Sequence, residues 1–177
     1  ALNHDALALR TLVGAPTAIA TSMLDLAINA LAGEQFTKAE HLLRSARQLY
    51  QESADAFGMA RCMGTLGTLY ARMERYGEAL PLLTESIQRL EQIQHQTECA
   101  EFLAEAAFVY LQLGDTFQAQ RVAHQGLALA QQIHHQPATE RALAALSVLE
   151  AAMQQQQVGT SATFLPGAAA HFVTPQL

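Results

Sequence analysis

Ala39, Ala79 and Ala119 stand 40 residues apart, and the same step links Leu42 to Leu82 to Val122, Leu43 to Leu83 to Ala123, and Ala46 to Ser86 to Gly126. Upstream of each block, Met23, Met63, Leu103 and Leu143 share a register, as do Ala27, Gly67, Ala107 and Ser147, and then Ala30, Tyr70 and Tyr110. An interval of this size marks one supersecondary unit used several times, each copy stable only when stacked on its neighbours. Inside each copy the apolar residues recur at three- and four-residue spacing, the pattern of an amphipathic helix rather than a strand.

Two helix types therefore alternate. The first is expected over 17–32, 55–72, 97–112 and 138–155, the second over 36–52, 76–94 and 116–134. Short breaks between them carry Gly33, Gly77 or Gly114-Asp115, where glycine is expected to relieve a tight turn. Short connections make successive helices antiparallel. Pro81 is expected near the start of its helix, where backbone donors are still unpaired and proline is tolerated. Shifting residues 1–12 by 40 lays Leu2 on Leu42, Ala6 on Ala46 and Leu9 on Leu49, so this stretch reads as a second-type helix without its partner. The expected organisation is a helical-repeat domain over 1–155 with about eight helices. It comprises a partial leading repeat or cap at 1–14, repeats at 17–54, 55–95 and 96–135, and a terminal cap helix at 138–155. Residues 156–177 are expected to be an extended or disordered tail, since their glycines and prolines oppose a helix.

The registers of Ala27, Ala39 and Ala46 hold only Ala, Gly or Ser in every copy. Side chains that small let helix backbones approach closely, while Met63, Leu66, Tyr70 and Leu83 fill the adjoining grooves.

Composition removes several functions. Asp and Glu total 16 against 10 Lys and Arg, and the isoelectric point is about 5.6, so the basic footprint of a direct nucleic-acid binder is missing. Half of the residues are hydrophobic and only 15% are charged, yet no run reaches the ~20 apolar residues that cross a bilayer. No basic stretch leads into an apolar one at the beginning of the sequence. The chain reads as soluble, unexported and cytoplasmic, with no membrane partner. Cys62 and Cys99 lack the neighbouring ligands of a metal knuckle, and read as free thiols in a reducing compartment.

The middle copy shows Met63, Leu66, Gly67, Tyr70, Tyr76, Ala79, Leu83 and Ser86. This order of large apolar, Leu, small and aromatic residues, then a turn, an aromatic, and Ala before Leu and a small residue resembles the tetratricopeptide repeat. The resemblance extends over about 17–153. The 40-residue spacing is similar to the longer-helix variety of bacterial signalling proteins and of the sensor arms of maltose-regulator-type activators. It implies an all-α, right-handed α-solenoid of antiparallel helix pairs, without cofactor, that binds a protein or peptide segment in a concave groove lined by the first-type helices. Carried onto this chain, the groove presents Thr21, Leu24 and Ile28, then Arg61, Gly64, Thr68 and Arg72. It continues with Glu101, Ala104, Phe108 and Leu111, and ends with Arg141, Ala144 and Val148. The surface is expected to be mainly apolar, with arginines that orient the partner. The competing account is that Leu24, Ile28, Leu31, Phe108 and Val148 are core between adjacent helices, and that the arginines are solvated and paired with Glu101 and Glu140.

The family's carboxylate clamp, built from Lys, Arg and Asn, does not fit, since Lys38 is the only lysine and Thr68 and Phe108 stand where asparagines are needed. A ligand-sensing arm of a bacterial transcription regulator of the maltose-regulator or LuxR type is the main rival function. For chemistry there is little: no phosphate loop, no nucleophile elbow and no HExxH, and the chain reads as non-enzymatic. Glu101 and Glu105 form a helical carboxylate pair, and His95 and His135 lie one period apart, without the fixed geometry of a metal site. A broken leading repeat leaves a stacking face, which makes a homo-oligomer plausible. In the tail, Phe164, Leu165, Phe172 and Val173 are costly to leave in water, and the segment up to Leu177 is expected to occupy its own or a neighbour's groove.

Overall fold

The computed structural model describes the backbone of residues 2–162 and the side chains of residues 16–151. Among them are seven helices and no strand: α1 (Leu2–Ala32), α2 (Phe36–Glu52), α3 (Ala56–Arg72), α4 (Tyr76–Gln92), α5 (Gln96–Gln112), α6 (Thr116–Gln132) and α7 (Gln136–Ala162). Phe36, Tyr76 and Thr116 open α2, α4 and α6, and Ala56, Gln96 and Gln136 open α3, α5 and α7, so both types recur at the 40-residue step. The fold is an all-α solenoid.

Two expectations at the ends are corrected. Residues 1–14 are not a separate helix: α1 runs from Leu2 without interruption through Gly14 and Pro16, and the count is seven rather than eight. Proline costs such a helix one backbone hydrogen bond but keeps a helical φ. The last helix, 27 residues long, continues to Ala162, through Gly159 and past the expected limit of 155, so 156–162 is not extended. Residues 163–177 lie outside the described residues.

The turns have a regularity that glycine content does not reveal. Glu34, Ala54, Glu74, Gln94, Gly114 and His134 all have φ between 52° and 82°, one such residue in every turn, 20 positions apart. The next residue's N–H reaches back to the carbonyl five positions earlier, as from Gln35 to Ala30 at 2.8 Å, Arg75 to Tyr70 at 2.9 Å and His135 to Ala130 at 2.9 Å. This is the Schellman closure, in which a left-handed residue lets the final carbonyls find donors. Gly33 and Gly77 are not the left-handed residues; only Gly114 is. Pro81 sits at the sixth position of α4 rather than in its first turn, two residues beyond Ala79, whose N–H already bonds Arg75 O at 3.0 Å.

The small-residue registers are the helix contacts. Ala39, Ala79 and Ala119 are fully buried, as are Ala27, Ala46 and Ser86. A Cβ added at Gly67 would lie 2.8 Å from Leu83 Cγ and 3.1 Å from the Ala79 carbonyl, and one at Gly126 would lie 3.0 Å from Leu103 Cβ. Ser86 Oγ donates to Ala60 O at 2.7 Å, and Cys62 Sγ to Leu43 O at 3.1 Å, so the polar atoms at these tight contacts are satisfied. Each helix packs on the next in sequence, and α1, α3, α5 and α7 also touch in a row, whereas α2, α4 and α6 do not touch one another. The row that stays in contact is the inner side of the curve; the other is splayed outward.

Candidate functional site on the concave row

The inner row carries a trough of about 230 Å³ with Ile28 and Leu31 from α1 at one side and Arg61, Thr68 and Arg72 from α3 beside them. Opposite stand Glu98, Glu101 and Glu105 of α5 and Arg141 of α7. The glutamates follow i, i+3 and i+7 spacing, which sets them along one helix face. Each meets a base from another helix or turn. Glu98 lies 4.0 Å from Arg61 Nε and 3.6 Å from His95 Nδ1, Glu101 lies 3.8 Å from His135 Nε2, and Glu105 lies 3.5 Å from Arg141. An acidic ridge is thus flanked by basic side chains on α3 and α7. Arg72 also lines the trough, and among the described residues it makes no ion pair or side-chain hydrogen bond.

Glu105 is largely enclosed, its side chain 21% exposed. Loss of water raises its pKa above the ordinary carboxylate value, Arg141 and Arg72 oppose that rise, and Glu101 adds to it. Desolvation disfavours the charged form, and the flanking guanidiniums recover part of the cost. Paired and half-exposed, the ridge contributes modestly to stability; its value is in fixing where charge sits.

The structure divides the expected groove residues. Ile28, Arg61, Thr68, Arg72, Glu101 and Arg141 come together in the trough. Leu24 and Ala104 are fully buried and belong to the core. Gly64 is buried too: an added Cβ would lie 2.2 Å from the Phe102 ring, so this glycine is the socket that lets α3 and α5 close. Thr21 is half-buried and accepts a 3.2 Å hydrogen bond from Tyr50 Oη while donating to Thr17 O. Phe108 and Leu111 are half-buried against the core. Ala144 and Val148 are exposed on α7, Val148 at 44%. Part of the expected groove closes into the core, and the trough that stays open sets Ile28, Leu31 and Phe102 beside the charged side chains of Arg61, Arg72, Glu98, Glu101, Glu105 and Arg141. Glu98 was absent from the expected set, although its three-residue spacing from Glu101 signals a shared face.

His95 and His135 do not join into a metal site. His95 stacks on Phe57 with ring centroids 3.9 Å apart, while His135 Nδ1 caps α7 by accepting from Ala138 N at 3.2 Å. No group of three or more His, Cys, Asp or Glu suited to a metal occurs among the described residues. No helix among them is long and apolar enough to cross a membrane. Cys62 and Cys99 are free and buried, and burial pushes both thiols up to about 12.

A larger hollow of about 580 Å³ lies away from this row, between the α4–α5 turn and α6. Leu90, Cys99 and Leu129 contribute apolar surface to it, and Gln94, Gln96 and the Gln125–Glu91 pair, bonded at 3.2 Å, contribute polar surface. It carries neither converging charges nor an unsatisfied buried polar atom.

With this geometry established, comparison with known proteins gives a class. The family model described as Tetratricopeptide repeat matches residues 17–92, from within α1 to the end of α4, so this part of the chain is similar to tetratricopeptide repeats. Among solved structures, BtubC (BKLC) from P. vanneervenii is similar with a TM-score of 0.61 at 13% identity, over 92% of this chain and 72% of that one. At that identity the likeness concerns the fold. No curated protein matches the chain. Tetratricopeptide repeats generally mediate protein–protein interaction.

Proposed function

We propose that the trough binds an extended segment of a partner protein, with a carboxylate of that segment on Arg72 and an apolar side chain against Ile28 and Leu31. The supporting observation is the asymmetry of the trough's arginines: Arg61 and Arg141 lie within 4.0 Å of glutamates, and Arg72 has no such partner. A guanidinium held at the edge of a ridge of carboxylates, with its own donors unspent, favours a planar acid that accepts two parallel hydrogen bonds. The glutamate ridge repels acid elsewhere along the trough, so one acidic residue, rather than an acidic tract, matches the surface.

Panning a library of displayed peptides tests this. The protein should enrich sequences with a single acidic residue near an apolar one, and Arg72→Gln should abolish that enrichment while leaving the helical content intact. Equal enrichment by both proteins would move the binding surface off the trough. The reducing compartment expected from the two lone cysteines rests here on both thiols being free and buried.

A further inference from the structure

Leu143 is 49% exposed on α7 and Ser147, one turn later, is exposed as well. Their register equivalents are not. Met63 and Leu103 are 2% exposed, Ala107 is 1% exposed, and Gly67 is buried. In those copies the face is covered by the next second-type helix, as shown by Gly67 closing on Leu83 and Ala79 of α4 and by Leu103 meeting Gly126 of α6. Among the described residues no helix lies on the α7 face, and α7 overhangs it, being ten residues longer than the 17 of α3 and α5 (27 − 17).

We propose that residues 163–177 of the same chain fold back along α7 as an extended strap and seat Phe172 and Val173 on this face. The sequence continues for 15 residues past Ala162 (177 − 162), and its large apolar side chains fall in two pairs, Phe164-Leu165 and Phe172-Val173. Leu143 lies 19 residues before Ala162, which is ~28 Å along a helix. Phe172 lies ten residues beyond Ala162, and ten extended residues span ~33 Å. The second pair therefore reaches back to Leu143. The first stays beside the overhang. Pro166 removes one backbone donor from the segment and so disfavours a helix as the alternative to an extended strap. A second copy suits the face less well. The exposed apolar residues at the other end, Ile19 and Leu26, are on α1, so head-to-tail stacking would set two first-type helices together where every other copy of this face receives a second-type helix.

The chain has no tryptophan, so Phe172→Trp supplies a single emitter. Ser147→Cys supplies a thiol at the centre of the face for a quencher; the native thiols, pushed up to about 12, stay unlabelled at neutral pH because thiolate is the reacting form. Loss of most of the tryptophan emission is expected with the quencher at 147, unchanged on dilution, and little loss with it at Gln48→Cys on the outer helix α2. Deleting 163–177 should raise binding of an apolar dye. Full emission with the quencher at 147, or equal quenching from both positions, overturns the strap. Quenching that fades on dilution assigns the face to a second copy, and unaltered dye binding after deletion leaves the face uncovered; each overturns it as well.

Discussion

The two halves of the solenoid share one backbone frame and fill it with different side chains. At the front, Tyr50 of α2 packs its ring into the space left by Gly58, where an added Cβ would lie 2.2 Å from Tyr50 Cε1, and donates from its hydroxyl to Thr21 on α1. Forty and eighty residues later the same pair of registers reads Leu90 with Glu98, then Ala130 with Ala138. The second pair has put a carboxylate in the trough. The third has become part of a small cluster of Ala100, Ala130 and Ala138, separate from the main core. The front is also tied by polar contacts: Tyr70 Oη donates to Glu40 at 2.9 Å, Arg44 bonds the same carboxylate at 2.8 Å, and Arg75 lies 4.2 Å from the Tyr70 ring centroid. Identical turns thus permit a gradient in buried volume, with large packed rings at the start and alanine contacts with open faces at the end.

The largest expected effect falls on the front. Tyr50→Ala removes a buried ring (2% exposed) and should cost ~3–5 kcal/mol, as truncation of large aromatic residues in cores does. Ala130→Gly, at the same register, should cost ~1 kcal/mol, the helix-propensity difference. Denaturant unfolding measures both, and equal losses would erase the gradient. Next comes overpacking: Ala79→Leu should cost ~1–3 kcal/mol because the α3 and α4 backbones meet there, while Ala144→Leu on exposed α7 should leave the melting temperature nearly unchanged. A tolerated Ala79→Leu would mean the close approach of α3 and α4 is not fixed. The smallest effect depends on pH. Burial raises the Glu105 pKa, so ionised Glu105 is held less well in the folded chain than in the unfolded one. Its penalty is absent below the ordinary carboxylate value and grows as pH rises through the raised value. Glu105→Gln should therefore melt slightly higher than the parent at neutral pH, with the gain vanishing near pH 4. A gain that persists there would assign the effect to something other than ionisation.

What the sequence made legible was whatever is buried repeatedly. The 40-residue step located every helix from α2 to α6 to within about two residues, because Ala39, Ala79, Ala119 and their companions must be small wherever two helices touch. The turns were less legible, since Glu34, Ala54, Glu74, Gln94 and His134 adopt a conformation that glycine advertises and other residues do not. Their Schellman closures and the packing on either side impose it. The ends deceived for a related reason: Gly14, Pro16 and Gly159 oppose helix locally, yet α1 and α7 pass through them. Half of the trough was legible. Arg61, Arg72, Glu101 and Arg141 followed from carrying the inner face of one repeat onto the next, and Glu105 from its helical spacing to Glu101, but a surface facing solvent leaves no repeated apolar signature, so Glu98 and the pairing of the ridge with its basic partners emerged only from the geometry.

The left-handed residue that closes every turn has a consequence for how such a chain can lengthen or shorten. Since the turns at Glu34, Glu74 and Gly114 are equivalent, as are those at Ala54, Gln94 and His134, excising the stretch between two members of one set rejoins the molecule with its phase preserved. Cutting between neighbouring members of different sets instead exchanges inner and outer helices downstream, carrying Arg141 to the opposite surface. Insertions and deletions in this architecture are thereby quantised in whole pairs.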